Sequence, residues 1–169
     1  ADYAPLAIAA EQNGFSTITL PDHLVYPREM SVPYPYTPDG ARRWDHDAEW
    51  PDPWVLIGAL SAVTSRLRFL TSVYVPAIRS PFQVAKSVGT AAVLSGNRVS
   101  LGVGIGWCRE EFELLGQDFS TRGKRTDEVL GIDFGDRMSV MTERAVIAMY
   151  HLQQTKAWTR NLVDGVEQM

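Results

Sequence analysis

The chain has 169 residues, 45% hydrophobic and 21% charged, with a net charge of −4 and a single cysteine. This is the composition of a soluble globular protein, and a mild negative charge without a basic patch argues against nucleic acid as the main partner. No apolar run reaches the roughly 20 residues of a membrane-spanning helix, so no membrane partner is expected. Cys108 has no partner for a disulfide and the three histidines lack metal-ligand spacing, so no structural metal is expected either.

The opening Ala-Asp-Tyr-Ala-Pro carries no basic or apolar leader, and a reducing, cytoplasmic location is expected. Residues 4 to 13 read as a helix, with Leu6, Ile8, Ala9 and Ala10 apolar and Gly14 at the stop position. Phe15 to Leu20 is short and rich in β-formers, a strand. It runs directly into Pro21-Asp22-His23. An aspartate and a histidine at the C-terminal end of a strand form the first candidate site; the alternative is an aspartate capping a turn beside a half-buried histidine.

Residues 25 to 53 are rich in proline and carry Tyr26, Tyr34, Tyr36, Trp44 and Trp50. A long irregular stretch in a compact domain is usually functional or disordered, and the aromatic content favours a loop that covers something. Asp45, His46 and Asp47 within it read as a solvated cluster.

Trp54 to Ser65 reads as a helix with Trp54, Ile57, Leu60 and Val63 on a broad apolar face, and Pro53 suits its first turn. Arg66 to Val75 is the next strand. Pro76 and Pro81 bracket an exposed turn holding Arg79. A helix follows from Phe82 to Leu94, stopped by Ser95-Gly96-Asn97. Val99, Leu101 and Val103 then alternate with Ser100, Gly102 and Gly104, a short strand. Gly102, Gly104 and Gly106 leave little side chain where it ends, and a helix begins with Phe112 and Leu115 on one face. Such a turn lets a flat or phosphorylated ligand approach the backbone; equally, it permits tight strand–helix packing. Further helices are predicted over 121–130 and 138–158.

Strands alternating with helices imply a parallel sheet built from βαβ crossovers. Asp22-His23 and the Gly104–Trp107 turn both lie at strand C-termini, the edge where ligands bind in α/β barrels and in doubly wound sheets. A flavodoxin-like open sheet suits the chain length, but it would carry a phosphate loop where Pro21-Asp22-His23 stands.

The segments Leu20-Pro21-Asp22-His23-Leu24, Leu67-Arg68-Phe69-Leu70-Thr71-Ser72-Val73 and Leu94-Ser95-Gly96-Asn97-Arg98 also follow a known order and spacing. The most specific segment is Leu101-Gly102-Val103-Gly104-Ile105-Gly106-Trp107-Cys108-Arg109-Glu110-Glu111-Phe112, followed by Arg122-Gly123-Lys124-Arg125-Thr126-Asp127-Glu128. In these the chain resembles the bacterial-luciferase-like monooxygenase family, in the branch of flavin- and deazaflavin-dependent oxidoreductases. The resemblance implies an α/β fold of the (β/α)8 TIM-barrel type. A closed barrel takes about 250 residues, so the barrel is expected to be incomplete in this chain, with the first strand and much of the second half absent. Residues 1–130 match the family's N-terminal half within one domain of 1–169, and 161–169 look similar to its closing helix.

The resemblance further implies a cofactor, the deazaflavin coenzyme F-420 or FMN, across the C-terminal face. His23 would be its proton-handling neighbour, with Asp22 as orienter. A non-proline cis peptide at Ser72–Val73 is implied, with Ser72, Val73, Gly104, Gly106 and Trp107 as the cofactor's bed and Arg79 within reach of its phosphate. The aromatic loop would roof the pocket. The implied activity is hydride transfer or O₂ activation on a small-molecule substrate; the alternative is a partial barrel acting as a non-catalytic binding or structural module. Trp107 stands where sugar-phosphate dehydrogenases of the branch carry a carboxylate, so that activity is not expected, and Ser80-Pro81 replaces the usual His-Pro. A homodimer is expected, because apolar helices and an unclosed sheet call for a cover.

Overall fold

Four short strands set the architecture. The computed structural model describes residues 2–45 and 47–131 and the strand Val146–Ile147. Strands β1 (Thr17–Leu20), β2 (Arg68–Thr71), β3 (Val99–Gly102) and β4 (Val146–Ile147) lie side by side in that order. All three pairings are parallel, with Thr17 opposite Arg68, Phe69 opposite Val99 and Leu101 opposite Val146. Helix α1 (Tyr3–Gln12) precedes β1, α2 (Pro53–Ser61) joins β1 to β2, and α3 (Pro81–Leu94) joins β2 to β3. Helices α4 (Arg109–Leu114) and α5 (Arg122–Leu130) follow β3. Each connection advances one strand in the same direction. That is the order of a barrel wall; a doubly wound sheet reverses, and the flavodoxin alternative falls with it.

Local chemistry explains the elements. Asp52 accepts from the amides of Trp54 and Val55 at 2.9 and 3.0 Å, and Pro53 occupies the first helical position of α2. Trp54, Ile57 and Leu60 of α2 and Val84, Val88, Ala91 and Ala92 of α3 bury one face against Leu67, Phe69, Val99 and Leu101 of the strands. Arg98 ties the helix ends to the sheet by donating to the carbonyls of Ser61, Thr64, Leu67 and Ser95. At Gly102 the strands come too close for any side chain: a Cβ there would lie 2.2 Å from the Thr71 carbonyl oxygen.

The structure departs from the sequence expectations in three places. The strand expected over 66–75 spans only Arg68–Thr71, ending at Ser72–Val73, whose peptide is cis as the resemblance implies. The turn expected to be exposed is buried, with Pro76–Ile78 in a 3₁₀ turn and the Arg79 side chain 8% exposed. Proline marked the turn correctly, but the Asp22 carboxylate draws the arginine inward. The helix expected over 138–158 contains the strand Val146–Ile147 instead; a short apolar run fits either state. The rest of that segment, His46 and the closing residues 161–169 lie outside the described residues. Among the described residues, no helix is long and apolar enough to cross a membrane.

Glu11 fastens α1 to the entry of β2. Its carboxylate accepts from the amides of Ser65, Arg66 and Leu67 at 3.0, 2.5 and 2.7 Å. These bonds, those of Arg66 and Leu67 foremost, lower its pKa from 4.5 to about 2. The folded state therefore favours the ionised group, and this contribution is complete above pH 4.5 and lost as pH falls toward 2. Glu11→Gln is expected to unfold at lower urea than the parent at pH 7, with the gap closing near pH 2. A gap independent of pH would assign the effect to shape instead of charge.

Candidate active site

The C-terminal ends of β1, β2 and β3 open onto one cavity of about 900 Å³. The chain leaving β1 supplies Asp22 and His23, that leaving β2 supplies Ser72 and Val73, and that leaving β3 supplies Ile105, Gly106 and Trp107. The loop between β1 and α2 closes over them with Tyr34, Tyr36, Trp44 and Trp50. Six of the eight residues singled out from sequence thus meet in one place. Gly104 does not line the cavity; it is buried behind it, its amide bonded to the Tyr74 carbonyl at 2.9 Å. Arg79 is turned away as well.

His23 is 9% exposed at its side chain and held from every side. Its Nδ1 lies 2.9 Å from Oε2 of Glu111. A carboxylate only accepts, so Nδ1 is the donor of this contact, and in the neutral imidazole the lone pair falls on Nε2. Three rings pack edge-on against the imidazole: Tyr26 and Trp50 at 4.8 Å and Trp107 at 6.0 Å.

Asp22 is not the orienter of His23. It makes a bidentate pair with Arg79, at 2.7 and 2.8 Å, and accepts from the Val75 amide at 3.1 Å. Burial pushes its carboxyl upward while the guanidinium and the amide pull it down. Arg79 lies 4.4 Å over the Tyr74 ring and donates to the Val75 carbonyl, so both terminal nitrogens are engaged by protein and the side chain does not line the cavity. The physical reason is reach: the peptide leaving β2 brings Arg79 under the end of β1, where a buried aspartate needs a cation.

Glu111 is the residue that the sequence reading missed. It is 1% exposed, and its other oxygen accepts from the amides of Leu24 and Val25 at 2.7 and 3.2 Å. A signal was present. Cys108, Glu111, Phe112 and Leu115 share the i, i+3, i+4, i+7 spacing of one helix face, so a carboxylate stands among apolar residues. Its neighbour Glu110 bonds the amide and hydroxyl of Ser31 at 2.6 and 2.5 Å. The first turn of α4 therefore pins the roof loop at two points.

Beneath the cavity, Gly106 has φ +83, and a Cβ there would meet Phe112 at 2.7 Å. Cys108 is buried, and burial pushes its thiol up to about 11, so it stays protonated and inert at neutral pH. At the rim, Arg122 lies 3.9 Å over Phe119, and its Nε is buried without a partner.

Residues 1–132 match the luciferase-like monooxygenase family. An uncharacterized protein of Mycobacterium tuberculosis is 49% identical over 138 residues, covering 79% of this chain and 48% of that protein. An F-420-dependent glucose-6-phosphate dehydrogenase of Nakamurella multipartita is 34% identical over 117 residues, 67% of this chain and 29% of that enzyme. The chain thus spans about half the length, or less, of the curated relatives it matches. A monooxygenase from Streptomyces bottropensis superposes with a TM-score of 0.60 at 21% identity, over 76% of this chain and 34% of its own. The oxygenating constituent of 3,6-diketocamphane monooxygenase from Pseudomonas putida, in complex with FMN, gives 0.56 at 18% identity, over 76% and 31%. These likenesses show the fold: the chain is a parallel α/β sector of a luciferase-like TIM barrel.

Removing the Glu111 carboxylate leaves two loop amides and the imidazole without their acceptor. An unmet buried donor costs about 1–3 kcal/mol. Glu111→Ala is expected to lower stability by about 2 kcal/mol or more and to speed hydrogen exchange at Leu24 and Val25 selectively. Unchanged exchange at those two amides would show that the loop is held by other contacts.

Proposed function

Since the chain belongs to the luciferase-like monooxygenase family, we propose that it forms the cofactor-facing part of a flavin- or deazaflavin-dependent oxidoreductase. The observation that carries this reading is the imidazole of His23, fixed through Nδ1 by a buried carboxylate and lining an aromatic cavity at the strand ends.

The residues present fit a flat cofactor with an anionic tail. Ser72, Val73, Gly106 and Trp107 would hold the ring, since the turn at Gly106 presents no side chain and Trp107 a large apolar face. The guanidinium of Arg122, in the lining, would offer positive charge to an anionic tail. When bound, the reduced cofactor supplies a hydride or the electrons that activate O₂. The relative named for F-420 favours the deazaflavin, and the FMN-bound neighbour keeps FMN as the second candidate.

The chain's own residues contribute three things. His23 handles a proton at Nε2, accepting it from a substrate hydroxyl or, once protonated, returning it to a substrate oxygen. Glu111 is a positioning residue: it selects the tautomer with the lone pair on Nε2 and stabilises the imidazolium once formed. The loop from Tyr26 to Trp50 excludes water from the reacting groups. Its partners are a small-molecule substrate and a second copy of the chain.

Titration of the protein with FMN and with F-420, followed by absorbance, tests the cofactor assignment. Binding of one and not the other selects the branch, whereas failure of both leaves the non-catalytic module. His23→Ala is expected to lower turnover by about 10²-fold or more, with cofactor affinity held within a few-fold. Unchanged turnover would reduce His23 to a packing residue.

A further inference from the structure

The irregular chain between β1 and α2 is fixed at both ends. At its start, the Glu111 carboxylate accepts from the amides of Leu24 and Val25. At its end, Asp52 caps α2. Between these roots, residues 34–43 bond to one another. The Tyr34 amide donates to the Gly40 carbonyl at 2.8 Å, and the Gly40 amide to that of Thr37 at 3.1 Å. The Thr37 hydroxyl donates to the Ala41 carbonyl at 2.9 Å, and Asp39 accepts from the Ala41 amide and from Arg43, both at 3.0 Å. Gly40 has φ +69, and a Cβ there would lie 2.6 Å from Cβ of Pro33, so the fold-back is tight. The tip of the loop is a preformed unit, shaped by its own bonds.

Glu110 closes this tip onto the wall. Its Oε1 accepts from both the amide and the hydroxyl of Ser31, at 2.6 and 2.5 Å. Both bonds are exposed, so water can replace either partner at little cost. Glu111, the next residue, is buried, and its bonds to the start of the loop have no such substitute. Adjacent acids on one helical turn thus grip the loop in two ways, the buried one permanently and the exposed one reversibly. Ring contacts add to the closure: Tyr34 meets Trp107 edge-on at 5.1 Å, and Trp44 meets Trp50 and Tyr26 at 5.7 and 6.1 Å.

Closure also has an opposing cost. The Nε1 atoms of Trp44 and Trp50 are buried without a partner. An indole N–H only donates, and a buried donor left unpaired destabilises the state that buries it. Ring packing and an exposed clasp are therefore set against unmet donors, and such a balance favours local opening. Val32 to Tyr36 and Trp44 form one side of the cavity, so lifting the tip removes that side.

We propose that residues 31–44 are a lid, clasped by Glu110, that swings off the cavity in one piece while the chain at Leu24 and Val25 stays in place. Open, the lid admits and releases the occupant of the cavity and lets water reach the Trp44 indole. Closed, it shuts water from His23. The device serves any occupant and is independent of the cofactor assignment.

Hydrogen exchange in the 169-residue chain, read site by site by NMR, tests it. Trp54 is the internal reference: its Nε1 is also buried without a partner, but its ring packs against Tyr74 in the core. The Trp44 indole N–H is expected to exchange about tenfold faster than that of Trp54. Glu110→Ala removes the clasp and should speed Trp44 by about tenfold again, with Trp54 and the amides of Tyr34, Gly40 and Leu24 unchanged. Glu110→Gln keeps the shape and weakens the acceptor, and should speed the same indole by less. Trp44 exchanging no faster than Trp54 in the parent, or unmoved by both variants, would overturn the proposal. So would acceleration shared by Trp54, or by Tyr34 and Gly40, in both variants, because the fold or the tip would then be unravelling instead of swinging.

Discussion

One buried carboxylate organises the strand-end cavity. Glu111 spends one oxygen on the His23 imidazole and the other on the amides of Leu24 and Val25. A carboxylate removed from water is costly unless its lone pairs are met, and here three donors meet them. The same contacts that satisfy Glu111 fix the tautomer of His23, the direction in which the chain leaves β1, and the start of the roof loop. Helix α4 can deliver the group because Gly106 lets the chain turn tightly over Phe112, which carries Glu111 to the buried face.

The second acid does a different task. Asp22 and Arg79 form a buried pair that joins the end of β1 to the turn after β2. Both strands stop there; past the Tyr74–Val103 bridge, the Val75 amide and carbonyl find their partners in this pair. The pair therefore stabilises the rim of the cavity. The two adjacent residues Asp22 and His23 point their polar groups to different partners, as neighbours at the end of a strand do when side chains alternate across the chain.

Much of this was legible in the sequence, and the losses have physical causes. The strand–glycine–helix run at Val99–Phe112 and the polar pair after Leu20 marked the edge that opens onto the cavity, because polar residues directly after a β-rich run have few other places to be. The parallel order followed from alternation of strands and helices. The partners of Asp22 and His23 were not legible. Their contacts cross 57 and 88 positions of chain, and local spacing carries no information about such distances. Glu111 was hidden by its company. Two acids opening a helix are usual for the dipole, and only the spacing with Cys108, Phe112 and Leu115 separates the buried one from the exposed one. The strand at Val146–Ile147 was lost to periodicity, since two β-branched residues inside an apolar stretch satisfy a helical pattern as well as a pleated one.

The electrostatic outcome is a cavity whose ionisable walls are satisfied from within the protein. Each carboxylate facing it is bonded to a cation, an imidazole or backbone amides, and the thiol nearby is held neutral. An interior of this kind does not need water to solvate its own charges, so a roof of rings can close over it at little cost in desolvation.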